Sequence, residues 1–215
     1  MLIFFILTTI HINKSYAAPP PWYAGYALWS PPGGTTPWGI HARIYTISPT
    51  VPSGHFLVEW DAIVLSYTNT WWIQTGYAKV PSQFSGLKFY SEKNDTYGHR
   101  LNFSSTGPTT GETYSYMICT TQQSPPNRWD ILIRTMDGRT LYSARISTNP
   151  YRPLDFQAMA EMSTSSIRID NTHFSELSYY DGRSWPHWWR HACKKDFPYN
   201  VQETSNYEFY ASGGG

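Results

Sequence analysis

Hydrophobic and polar positions alternate over short stretches along most of the chain. These stretches predict strands at 39–47, 55–67, 70–79, 86–92, 112–121, 128–136, 140–147, 154–163 and 172–180. β-Branched and aromatic residues fill them, and Pro, Gly, Asn or Asp separates one from the next. No helical period intervenes. Asp137-Gly138, between Ile131-Leu132-Ile133 and Leu141-Tyr142, is the clearest hairpin signal, because glycine accepts the positive φ of a tight turn. Many short strands at regular spacing predict an all-β chain, an antiparallel β-sandwich or jelly roll. No internal repeat or linker is visible. After Gly182 the composition shifts, and Trp185, His187, Trp188, Trp189, Arg190, His191, Cys193, Lys194 and Lys195 crowd together. The expected organisation is a sandwich over 18–182 and an aromatic, basic extension over 183–215 packed on it.

Composition narrows the function classes. Among 215 residues, 16 Lys+Arg face 15 Asp+Glu, so the surplus of cations that a nucleic-acid binder needs is missing. Ten Trp, 17 Tyr and 10 Phe carry far more apolar surface than a disordered chain. With 16 Pro and 15 Gly spread along the length, long helices are hard to place.

The first residues suggest a compartment. Leu2 to Ile10 is apolar but too short to span a bilayer, and Ser15-Tyr16-Ala17 supplies a small-residue site before Ala18-Pro19. This pattern predicts a secretory signal peptide over 1–17 and an exported, soluble chain with no membrane span. In an oxidising compartment Cys119 and Cys193 are expected to form one disulfide tying the tail to the body, with two free thiols as the alternative. Asn94-Asp95-Thr96 and Asn102-Phe103-Ser104 are glycosylation sequons.

Familiar catalytic motifs are absent: no G-x-S-x-G, P-loop, H-E-x-x-H or paired C-x-x-C occurs. His187 and His191 with Cys193 fall short of the four ligands that structural zinc normally takes, so no metal is expected. The informative residues are an amide and a carboxylate. Alternation puts Trp72, Gln74 and Gly76 on one face of their strand, and Gln157, Met159, Glu161 and Ser163 on one face of another. From spacing alone, a solvated outer face explains Glu161 better than a cleft does.

Seven segments in order resemble the glutamic peptidases of the eqolisin group, acid endopeptidases on a lectin-like, concanavalin-type sandwich. They are Trp22-Tyr23-Ala24-Gly25-Tyr26, Thr46-Ile47-Ser48-Pro49-Thr50-Val51-Pro52, Glu59-Trp60-Asp61-Ala62-Ile63, Trp72-Ile73-Gln74-Thr75-Gly76, Phe89-Tyr90-Ser91-Glu92, Gly111-Glu112-Thr113-Tyr114 and Phe156-Gln157-Ala158-Met159-Ala160-Glu161-Met162. They cover roughly residues 22 to 180. Three departures stand out: Asp61-Ala62-Ile63 follows Trp60 in place of V-G-I-D, the segment before Glu161 lacks a Trp, and the tail after Gly182 has no counterpart.

The resemblance implies a dyad of Gln74 and Glu161, with Trp60, Asp61, Trp72, Tyr90 and Glu92 as substrate-binding residues and a polypeptide as substrate. It implies no cofactor, and the chain is expected to act as a monomer. The chemistry suits acid: a carboxylate still accepts a proton where imidazole is already protonated, and an amide N–H donates regardless of pH. The other reading is a non-catalytic, lectin-like sandwich that binds glycan or protein at the cell surface, or a structural subunit there. Aromatic residues that line a groove in the first reading are core or a sugar platform in the second.

Overall fold

A computed structural model describes residues 21–29, 37–66, 68, 70–121 and 125–215. The expected signal peptide lies outside them. The described residues form 14 strands: β1 (Trp22–Trp29), β2 (Gly39–Tyr45), β3 (Leu57–Ser66), β4 (Trp71–Lys79), β5 (Leu87–Asn94), β6 (Arg100–Phe103), β7 (Thr113–Cys119), β8 (Arg128–Thr135), β9 (Thr140–Ser147), β10 (Asp155–Met162), β11 (Ile169–Tyr180), β12 (Ala192–Lys195), β13 (Tyr199–Ser205) and β14 (Glu208–Gly213). They pair antiparallel in two seven-stranded sheets. Sheet A runs β12-β1-β10-β3-β4-β5-β6, and sheet B runs β13-β14-β11-β2-β7-β8-β9.

All nine strands expected from alternation are present, with ends moved by a few residues. The Asp137-Gly138 hairpin joins β8 to β9, with Gly138 at φ 89°. The strands alternation did not reveal are β1, which is apolar with little alternation, β6, β12 and β14, which are short, and β13, which is largely polar.

Between the sheets lies the main core, where Tyr26, Leu28, Ile40, Phe89, Tyr116, Trp129, Phe156 and Phe174 are buried. Burying one such side chain stabilises by about 1.5–3 kcal/mol. The outer face of sheet A is covered as well. Ala27, Trp60, Ala62, Ala78, Tyr90 and Met159 form a second buried cluster, flanked by Tyr23, Val58, Phe84 and Phe103. Cover on both faces explains why Glu59 to Ile63 shows no break in burial along β3.

The tail is a structural part of the sandwich rather than an extension laid on it. β12 pairs with β1 to finish one edge of sheet A, and the β13–β14 hairpin adds to β11 in sheet B. One further expectation changes. Cys119 lies on β7 inside sheet B and Cys193 on the edge strand of sheet A, and both thiols are free. The expected disulfide is not formed: Cys119 stands between Gly39 and Asp130 and Cys193 opposite Tyr26, so the register gives neither thiol the other as a neighbour. No described helix is long and apolar enough to cross a membrane.

Candidate active site on the outer face of sheet A

Strand register sorts the outer face of sheet A into rows that cross the strands. One row reads Tyr23, Glu161, Val58, Ala78, Lys88. The next reads Lys194, Gly25, Met159, Trp60, Gly76, Tyr90, Phe103. The third reads Ala192, Ala27, Gln157, Ala62, Gln74, Glu92, Leu101. Gly25, Ala27, Ala62, Gly76 and Ala78 leave a floor of small side chains, around which Trp60, Tyr90 and Met159 pack.

Gln74 is 8% exposed. Its Nε2 donates to Glu92 Oε2 at 2.5 Å and to Tyr90 OH at 3.2 Å. An ionised carboxylate only accepts, so the contact with Glu92 fixes which end of the Gln74 amide turns that way. Glu92 in turn is paired through its other oxygen with His99 Nε2. Glu161 accepts a hydrogen bond from Trp60 Nε1 at 3.2 Å. Glu161 and Glu92 both act on the phenols around them: burial first, then their negative charge, raises Tyr23, and the same causes hold Tyr90 well above its ordinary range.

Gln74 and Glu161 therefore share a face, but the register does not put them in one row. They are two strands apart and four residues out of step, about 13 Å along the strand direction. Trp60 occupies the row between them. Level with Gln74, on the far side of Ala62, is Gln157. Its Nε2 donates to Asp155 Oδ2 at 2.8 Å. Alternation already placed Gln157 on the face of Glu161, but only the pairing of β10 with β3 and of β3 with β4 reveals what lies opposite Gln74.

Of the expected substrate-binding residues, Trp60, Tyr90 and Glu92 line this face, and Trp72 lies at its margin between Val64 and Asn94. Asp61 does not belong to it. It alternates with Trp60 and Ala62, so it points between the sheets, where it is fully buried. Burial, little offset by a contact with its own backbone, pushes its carboxyl well above the usual range. Glu59, on the same inner face, accepts from Thr172 Oγ1 at 2.6 Å, and burial raises it to about 8.

The possible metal ligands of the tail are dispersed. His187 bonds Glu176 and stacks on Tyr207, whereas His191 bonds Glu203 and stacks on Tyr26. Among the described residues no group of three or more His, Cys, Asp and Glu could hold a metal ion. Surface clefts of about 470 and 430 Å³ lie elsewhere, and neither includes Gln74 or Glu161.

No family model and no curated protein matches the chain. Solved structures do. A scytalido-glutamic peptidase bound to a transition-state-analog inhibitor superposes with a TM-score of 0.69 at 11% identity, over 91% of this chain and 99% of that one. A second, with a peptide-based analog, gives 0.66 at 12% identity, covering 90% and 98%. SCP-B, an eqolisin in complex with the tripeptide Ala-Ile-His, gives 0.65 at 11%, covering 90% and 98%. The fold matches that of the glutamic peptidases. At such identity the likeness establishes the sandwich and its topology, and the chemistry has to be argued from this chain's own residues.

Proposed function

We propose that the chain is an exported, acid-acting endopeptidase that holds an extended polypeptide across the outer face of sheet A. One observation carries the reading: a nearly buried carboxamide, Gln74, has its orientation set by Glu92 on the face that also bears Glu161. Glu161 takes a proton, through one bridging water, from the water that attacks the scissile carbonyl. The oxyanion that develops accepts from the Gln74 N–H now given to Tyr90, the longer of its two contacts and the easier to exchange. Glu161, then protonated, returns the proton to the leaving nitrogen as the C–N bond breaks. The superposed structures carrying a peptide-based analog and a tripeptide support a peptide ligand.

A non-catalytic reading is favoured by one observation, that Gln157 rather than a carboxylate stands level with Gln74. In that reading the face binds protein without cleaving it. A sugar platform has less support on this face, since Trp60 and Tyr90 are only 4% and 1% exposed.

The test is cleavage of a denatured protein between pH 2 and 6 by the mature chain and by Glu161→Gln. Cleavage that disappears in the variant, with the circular dichroism unchanged, is the expected result. Equal cleavage by both proteins rejects Glu161 as the base. No cleavage by either leaves a binding face without chemistry.

A further inference from the structure

We propose that Gln157 fills, with an amide, the place from which a carboxylate would share one water with Gln74, and that this substitution holds hydrolysis by the chain to a slow rate. The inference rests on the proposed peptide-holding face but concerns a different residue. Gln157, Ala62 and Gln74 are consecutive partners in one row across β10, β3 and β4. Ala62 is the smallest chiral side chain and lies between them, so no larger side chain of that row separates the two amides. Glu161, by contrast, is four residues further along β10, and its carboxylate is held by the indole of Trp60 in the intervening row. A proton acceptor must lie within hydrogen-bond reach of the attacking water, directly or through one further water. Position 157 meets that requirement from the row of Gln74 itself.

A carboxylate there calls for one compensating change beside it, at Asp155. Asp155, 1% exposed, accepts the Gln157 N–H at 2.8 Å. Exchanging the two functional groups, as in Asp155→Asn with Gln157→Glu, reverses donor and acceptor of that bond and leaves the net charge unchanged. With Glu at 157, the carboxylate takes one proton from water, and the water oxygen bonds to the carbonyl carbon. The oxyanion accepts from Gln74. The carboxyl then gives its proton to the amide nitrogen as the C–N bond breaks, so atoms and charge balance with water as the only co-reactant.

The experiment measures cleavage of a denatured protein at pH 3–5 by the mature wild-type chain, Gln157→Glu, and the exchanged Asp155→Asn/Gln157→Glu chain. Each is checked for an unchanged circular dichroism spectrum and a cooperative melt. General acid–base catalysis contributes about 10²–10⁴-fold, so a gain of at least ~10²-fold over the wild type is expected. That gain should persist when Glu161→Gln is added and vanish when Gln74→Leu is added. The exchanged chain keeps the test open if Gln157→Glu alone misfolds against Asp155. A folded variant that is no faster than the wild type overturns the inference, and so does a gain that depends on Glu161. Wild-type inactivity followed by a gain at position 157 supports the inference while rejecting Glu161 as the native base. The two readings thus fail separately.

Discussion

Strand β3 carries two acids inward and an indole and a methyl outward, the reverse of what a solvated outer face teaches one to expect. On its inner side Glu59 and Asp61 are sealed between the sheets with hydroxyls and no cation among the contacts that shape them. On the outer side of the same sheet, Glu92 and Glu161 meet an amide, an imidazole and an indole, and each is only partly buried. Burial pushes both inner acids toward the protonated form, because a bare buried carboxylate is costly. The outer ones are stabilised by donors and stay within reach of water. One sheet therefore separates a sealed pair of acids from a pair that meets donors and water.

The largest effect that would break this comparison is a pH-dependent melt. A carboxyl raised in the folded state contributes stability that is fully present below its unfolded pKa and is lost as pH rises through the folded one. For Glu59 that window runs from about 4.5 to about 8, and Asp61 acts in the same direction. The expected loss is several kcal/mol, a fall in Tm of roughly 10 °C or more between pH 4 and pH 8. Scanning calorimetry on the wild type and Glu59→Gln checks it: the variant should show the flatter profile. Equal slopes would place the sensitivity elsewhere.

On the outer face, Trp60→Ala should cost about 3–5 kcal/mol, since a buried indole leaves a cavity. Denaturant melts should show that loss at pH 4 and pH 8 alike, unlike the changes on the inner face. Tyr77→Phe removes the hydroxyl that bonds Glu59 and accepts from the Ile47 N–H at 2.9 Å. Its expected cost is about 1–3 kcal/mol, enough to separate it from a surface change. The smallest effect belongs to the exposed margin. Cys193→Ser on β12 should change stability by no more than about 0.5 kcal/mol, and a thiol reagent should find two reactive groups in the unfolded wild type without prior reduction. A single reactive group, or none, would mean that the thiols are not free.

Much of the fold was legible because alternation is a local property. The strands from β2 to β5 and from β7 to β11 follow from apolar residues at every second position and from Pro, Gly and Asp between them. β1 resembles a family segment but does not read as a strand, since Ala24, Gly25 and Ala27 give little contrast of polarity. The tail strands were obscured by polar residues such as Lys194, Gln202 and Glu203, which edge positions tolerate and local pattern reads as loop.

The site was legible in part. Alternation correctly grouped Trp72 with Gln74 and Gln157 with Glu161, but Asp61 was assigned to the binding face although it follows Trp60 by one residue and must point the other way. The strand period alone carries that distinction. It does not carry the relation between the two strands. Register across β10, β3 and β4 depends on loops and on the packing of both faces, so the row containing Gln74 exists only in the folded sheet.

By itself the sequence determined an all-β chain, nine of its 14 described strands, and which residues share a side of each of those, because these follow from covalent spacing and side-chain polarity. Only the tertiary structure decided that the tail completes both sheets, that the two thiols lie apart, and that Gln157 rather than Glu161 stands level with Gln74. Those outcomes depend on which strands become neighbours and in what register, and pairing between distant segments is selected by the burial of whole faces rather than by any local pattern.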